Sequence, residues 1–417
     1  MKSSCTKAFV FRWLVTLICV ILGKLGIAET NSAAWPNWMG PHHDGVSSET
    51  GWSTEWSDQG LPLVWKQAIG IGFSSVAIAD GRLFTMGHVD GQEFVYCFDA
   101  LAGKALWSHA YDAPLVDNLH EGGPGSTPTV DGEFLYTLGR AGQLICFRAA
   151  TGQVLWTRQL QEDLGVTLPE WGFTSSPYVL GDQLVFEAGR VVSYDKTSGK
   201  KNWQTDKHQA GYGSAAVFSA GGKLLVATLD CDGLRVVRSR DGHEVAFTPW
   251  DSPYRTNSTT PIVDGDLLFI STGYNVGCGL FRLRNNELEM VYQNRDMRNH
   301  FNNCILFAGY LYGFDGNSNL GRLVRLKCMD FKTGEVAWEK EGFGCGSLMI
   351  ADGKLVILGE AGELVVAEAT PEEYREFART DFLSGRCWAV PVLCAGHIYG
   401  RNAAGDLRCV KLPLVSR

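Results

Sequence analysis

The sequence has no adjacent cysteine pair and no C-x-x-C motif, although it contains 12 cysteines. This excludes the common local zinc and dithiol redox signatures. It carries no block of like charges, so acidic and basic tails are absent. Basic residues are in deficit, with 37 Lys and Arg against 45 Asp and Glu for a net charge of −8. A broad basic face that grips nucleic-acid phosphates is therefore excluded. Proline is sparse at 14 of 417 residues, which removes collagen-like and proline-rich classes. What is abundant is glycine, with 49 residues, together with 13 tryptophans in a chain that is 45% hydrophobic and 20% charged. That combination predicts short strands joined by many tight turns.

Long apolar runs are also scarce. The run WLVTLICVIL, residues 13–22, follows Lys2, Lys7 and Arg12 and precedes the small residues Gly26 and Ala28. This is the order of a secretory signal. A spanning helix needs about 20 apolar residues, and Lys24 interrupts too early. We expect residues 1–28 to be a cleaved signal, 29–61 an N-terminal extension, 62–413 the folded domain and 414–417 a short tail. The mature chain is then expected to be soluble and not membrane-spanning, in the periplasm or secreted.

A repeat of about 45 residues dominates the rest of the chain. Turns recur with their last glycines at 81, 132, 181, 222, 265, 309, 353 and 396, each followed by a strand such as RLFTM, EFLYT or KLVIL. Four repeats end alike, in FDALAGKALW, FRAATGQVLW, YDKTSGKKNW and MDFKTGEVAW. Four short antiparallel strands per repeat form a propeller blade. The fold class is therefore all-β, an eight-bladed propeller. The last repeat lacks its outer strand, and Leu63-Val64-Trp65-Lys66 resembles Val154-Leu155-Trp156-Thr157. An N-terminal strand is expected to complete the last blade and close the ring. Trp107, Trp156, Trp203 and Trp338 then pack between blades, with Phe247, Tyr292 and Phe377 as their substitutes in the irregular repeats.

Cys97, Cys146, Cys328 and Cys409 occupy one repeat position and read as buried thiols too far apart to pair. Cys304, Cys345 and Cys387 precede inner strands and are the better disulfide or reactive candidates. His42-His43-Asp44 is too local to form a metal site alone.

In a four-stranded meander, the strand 1–2 and 3–4 turns share one face, and here they are minimal. The opposite face carries long polar loops, among them 117–125, 168–173, 208–213, 250–258, 273–279, 294–303 and 384–388. Loops on a rigid scaffold are where binding residues gather. The candidate rim is Glu121, Trp171, Tyr212, Tyr274, Arg298, Asn299, His300, Arg386 and Trp388. These residues suit a planar or saccharide-like anionic ligand by stacking and charge. His300 is a candidate base or ligand, or a plain hydrogen-bonding residue.

The patterns SSPYV and D-x-x-T-G-x-x-x-W, and the opening WPNWMGP, resemble the pyrroloquinoline-quinone-type repeat family. That family includes quinoprotein alcohol dehydrogenases and the propeller lipoprotein of the outer-membrane assembly machine. The resemblance implies an eight-bladed propeller and, for the dehydrogenases, a quinone held beside an adjacent Cys-Cys pair and a Ca²⁺ ion. This sequence lacks the pair and the long insertions of those enzymes, so no cofactor is expected. The first expectation is a scaffold for a small-molecule ligand or an envelope protein. The alternative is a quinone-dependent dehydrogenase acting on alcohols or sugars, and a hydrolase or lyase would need an acid/base pair that spacing does not locate.

Overall fold

A computed structural model describes residues 34–57, 59–317 and 323–415. The expected signal segment, 1–28, lies outside the described residues. Eight blades of four antiparallel strands follow one another along the chain, the seventh extended by a fifth, parallel strand at Val46–Ser47. The first seven span 77–112, 129–159, 178–204, 216–249, 262–294, 305–340 and 347–381. The eighth joins three C-terminal strands, Val392–Cys394, His397–Arg401 and Asp406–Lys411, to Leu63–Ala68 as its outer strand. Trp65 pairs with Cys409 across that closure. Every predicted glycine turn joins the first two strands of its blade.

The blades lock together through their outer strands. In each one, the register between the third and fourth strands shifts once, at a bulge. The residue that follows the unpaired bulge residue faces the next blade. Trp107 donates its indole N–H to Ala149 O at 2.9 Å, Trp156 to Lys196 O at 3.1 Å, Trp203 to Ser239 O at 3.0 Å and Trp338 to Thr370 O at 2.8 Å. Trp65 does the same from blade eight to blade one, reaching Ala100 O at 2.9 Å. Each acceptor lies in the strand 3–4 turn of the following blade. In four of these contacts the ring covers a left-handed glycine. A Cβ on Gly103, Gly152, Gly199 or Gly242 would come within 2.6 Å of Trp65, Trp107, Trp156 or Trp203 respectively. Glycine is needed there for φ and for room.

Tyr292 stands in the tryptophan register, opposite Leu280, and donates to Phe331 O at 3.0 Å. Phe247 and Phe377 do not. The bulges place Ala246 opposite Val236 and Ala378 opposite Val366, so the two phenylalanines fall on the solvent side. Phe247 instead lies under the Arg235 guanidinium at 4.7 Å.

The repeated cysteines sit directly opposite the aromatic anchors: Cys97 pairs with Trp107, Cys146 with Trp156, Cys328 with Trp338 and Cys409 with Trp65. All four are fully buried. Cys304 and Cys387 are buried thiols rather than disulfide partners. Cys304 donates to Asn299 Oδ1 at 3.0 Å, and burial pushes the Cys387 thiol up to about 12. Cys345 is buried and donates to Asn302 Oδ1 at 3.4 Å.

The segment before Leu63 is built into the ring. Trp35 bridges Ile78, Pro36 O accepts the Val130 N–H, and Val46–Ser47 pairs in parallel with Ile350–Ala351. Glu49 accepts from the Ala395 and Gly396 amides at 2.6 and 2.8 Å. All these contacts lie at the strand 1–2 turn ends of blades one, two, seven and eight. The segment therefore runs across the short-turn end of the ring, a face expected to hold little but tight turns. No helix among the described residues is long and apolar enough to cross a membrane.

Candidate functional site

Inner strands begin at the long-loop face with small hydroxyl residues, and these join neighbouring blades. The Thr127 N–H donates to Ser176 Oγ at 2.9 Å, and the Ser176 N–H to Ser214 Oγ at 2.9 Å. The Ser214 N–H donates to Thr260 Oγ1 at 3.0 Å, and the Thr260 N–H to Asn303 Oδ1 at 2.9 Å. Ser347 and Ser75 continue the ring by donating to Ala389 O at 2.9 Å and Val390 O at 2.8 Å.

Above this hydroxyl ring, a cavity of about 200 Å³ opens toward the long loops. Trp38, from the N-terminal segment, forms part of its boundary and also borders a second cavity of about 300 Å³ on the short-turn side. The mouth is edged by a run of rings in contact. Tyr254 meets Tyr274 at 4.7 Å, Tyr274 meets His300 at 5.0 Å, and His300 meets Phe301 at 4.9 Å. Phe301 then meets Trp388 at 4.2 Å, Trp388 stacks on Phe73 at 5.1 Å, and Phe73 meets His120 at 5.3 Å. Trp171 and Tyr212 form a further pair at 5.6 Å.

Of the nine residues singled out in the sequence, Trp171, Tyr212, Tyr274, His300 and Trp388 line this cavity. Glu121 and Arg386 pair with each other at 2.7 Å, tying the blade one–two loop to the blade seven–eight loop. Arg386 also lies over the Trp388 ring at 4.6 Å. Arg298 and Asn299 do not line the cavity. Arg298 is held by the buried Asp315 through two 2.7 Å bonds, and Lys327 reaches the same carboxylate at 2.9 Å. Burial pushes the Asp315 carboxyl up, but these two cations outweigh it and leave it below its ordinary value. Asn299 is spent on Phe314 O and the Cys304 thiol.

Four further wall residues went unrecognised in the sequence: Trp38, Phe73, His120 and Phe301. The motifs that carry Trp38 and the wall hydroxyls, WPNWMGP and the SSP-type runs, were visible only as repeat and leader patterns. Phe73 and Phe301 each directly precede residues that enter an inner strand, as Trp388 does, and that placement was the available signal.

The cavity wall carries no carboxylate, lysine or arginine among the described residues. Its two histidines are neutral by geometry. His300 Nε2 lies 2.9 Å from the Tyr274 hydroxyl while its Nδ1 is buried without a hydrogen-bond partner. Burial, then the nearby His120, lowers its pKa to about 4. His120 Nδ1 accepts the Gly122 N–H at 3.0 Å and so holds no proton there. Burial also lowers its pKa. Trp388 donates to Glu360 Oε1 at 2.9 Å, behind the wall. No group of three or more His, Cys, Asp or Glu arranged to hold a metal ion occurs among the described residues. In the second cavity, His43 stacks on Tyr178 at 4.0 Å, and burial lowers its pKa to about 4.

A family model described as outer membrane protein assembly factor BamB matches residues 91–340, more than half of the chain, and the chain belongs to that family. Three solved structures show the same fold. Quinohemoprotein alcohol dehydrogenase from Comamonas testosteroni has a TM-score of 0.68 at 11% identity, covering 92% of this chain and 81% of its own. A europium-containing methanol dehydrogenase has a TM-score of 0.67 at 12% identity, covering 90% of both chains. BamB from Moraxella catarrhalis has a TM-score of 0.59 at 14% identity, covering 86% of this chain and 98% of its own. No curated protein matches the sequence.

Proposed function

We propose that this chain is a non-catalytic binding propeller of the cell envelope that engages a partner protein through its long-loop face. The carrying observation is the uncharged aromatic mouth. Acid–base chemistry needs a titratable group poised at the reacting atoms, and here the carboxylates beside the wall residues, Glu121, Glu170 and Glu360, already accept from Arg386, Asn118 and Trp388. Both wall histidines are neutral, and His300 is bonded to Tyr274. The dehydrogenase reading draws on two of the structural neighbours. Its cofactor carries several carboxylates and is used with Ca²⁺, which takes about six to eight oxygen ligands. A wall without anionic or cationic side chains does not fit that pair, and we derive no reaction step through it.

The BamB family match and the run of exported-type residues at the N-terminus support an envelope location and an envelope partner. The test is site-specific photo-cross-linking in living cells. A photoreactive residue at Leu119, which is 68% exposed on the mouth, should form an adduct with an envelope protein. One at Leu101, which is 52% exposed in a strand 3–4 turn on the opposite face, should not. No adduct from Leu119, or equal adducts from both positions, would overturn the proposal.

A further inference from the structure

The chemistry of the axial cavity specifies what it accepts. An apolar cavity of roughly 150 Å³ is enough to hold benzene, whereas sites for drug-sized ligands run to about 300–1,000 Å³. At about 200 Å³, this one has room for a single substituted ring rather than a polycyclic cofactor. An unpaired charge would be costly there, because no counter-ion lines the wall. The Ser and Thr side chains of the ring below can meet one hydroxyl or N–H on such a group.

The surroundings indicate where the ring comes from. Leu119 and Tyr254, 68% and 60% exposed, flank the mouth. Tyr212 borders both this cavity and a neighbouring one of about 310 Å³, whose lining mixes Leu168, Pro169 and Tyr254 with Glu170, Lys207 and Arg255. A free small molecule has no use for an exposed apolar margin. A chain that places one aromatic side chain in a desolvated pocket and lays its neighbours on the exposed margin of Leu119 and Tyr254, with polar groups beyond it, does, which is the arrangement of an interface hot spot.

We propose that the axial cavity receives one uncharged aromatic side chain from an extended segment of the partner protein, and that the segment continues over the adjoining cavity past Tyr212. This rests on the binding-propeller reading above and adds the chemical class of the anchor.

The test is calorimetric titration of the full chain with N-acetyl-tyrosinamide, with its anionic counterpart N-acetyl-tyrosine and with its cationic counterpart tyrosinamide. A blocked Leu-Gly-Tyr-Gly-Leu peptide forms the fourth arm. The neutral amide should bind, and both charged forms should bind at least about tenfold more weakly. The peptide should bind more tightly than the amide, and Leu168→Asp should remove that gain. Ser258→Phe, which narrows the cavity, should weaken the amide at least about tenfold. The charge comparison uses the unaltered chain and so does not depend on a variant folding. Charged forms that bind as well as the neutral one would overturn the anchor. A peptide no tighter than the amide would overturn the extended track. Cross-linking from Leu119 that persists in Ser258→Phe would refute the anchor while leaving the binding face in place. Amide binding without any cross-link would support the ring site and remove the envelope partner.

Discussion

The interlock between blades makes a quantitative demand at Trp156 and Gly199. Trp156 is 8% exposed, donates to Lys196 O at 3.1 Å and lies on Gly199, where an added Cβ would fall 2.6 Å from the indole. Trp156→Ala removes a packed aromatic side chain and should cost about 3–5 kcal/mol. Gly199→Ala should cost about 1–2 kcal/mol for a left-handed backbone at φ +64, plus the displacement of the ring. With the ring gone, only the backbone part should remain. The double variant should therefore be more stable than the sum of the two single losses by about 1 kcal/mol or more. The assay is guanidinium unfolding followed by near-ultraviolet dichroism and intrinsic fluorescence, on all four proteins. Strict additivity, or a Trp156→Ala cost below about 1 kcal/mol, would refute the claim that the indole and the glycine form one contact.

Other consequences are equally direct. Deleting residues 62–69 should expose the edge of blade eight, lower the melting temperature sharply and promote aggregation, as differential scanning calorimetry and light scattering would show. Arg401 is fully buried and donates to the carbonyls of Gly70, Ser74 and Met86 in blade one, so Arg401→Met should cost about 3 kcal/mol or more in chemical unfolding. His300 and His43 have folded pKa values lowered to about 4 from 6.5, chiefly by burial. Between those values the unfolded chain binds more protons, so stability is full above pH 6.5 and falls as pH drops toward 4. His300→Gln should flatten that fall by up to about 3 kcal/mol, measured as the difference between the two proteins' unfolding free energies across this range.

Most of the fold is visible in the sequence because its signals are local and repeat. A glycine that must adopt positive φ and a tryptophan four residues later recur at fixed spacing, and each reports a hairpin on its own. The closure strand was legible for the same reason, since Trp65 repeats the pattern of Trp156. Phe247 and Phe377 were misread because one bulge per blade decides which side of the outer strand faces the neighbour. A shift of one residue turns a side chain to the other face. The course of Trp35–Glu49 across blades one, two, seven and eight rests on contacts with residues far along the chain, which no local pattern encodes.

The site divides in the same way. Trp171, Tyr212, His300 and Trp388 were legible because each leads from a long loop into an inner strand; Tyr274 was expected to do the same but lies in the strand 2–3 turn of blade five, which opens on the same face. Arg298 resembled them in sequence. Its role was fixed instead by Asp315 and Lys327, on the second and third strands of the same blade, which the sequence does not place beside it. Glu121 and Arg386 looked like separate charges for an anionic ligand, yet 265 residues apart they neutralise each other.

The claim that the mouth binds rather than oxidises is tested most directly by titrating the purified chain with pyrroloquinoline quinone and Ca²⁺, following heat and quinone absorbance, alongside dye-linked alcohol oxidation. The account predicts no saturable binding and no oxidation. Stoichiometric micromolar binding that both His300→Ala and Trp388→Ala abolish, with dye reduction in the unaltered protein, would contradict it.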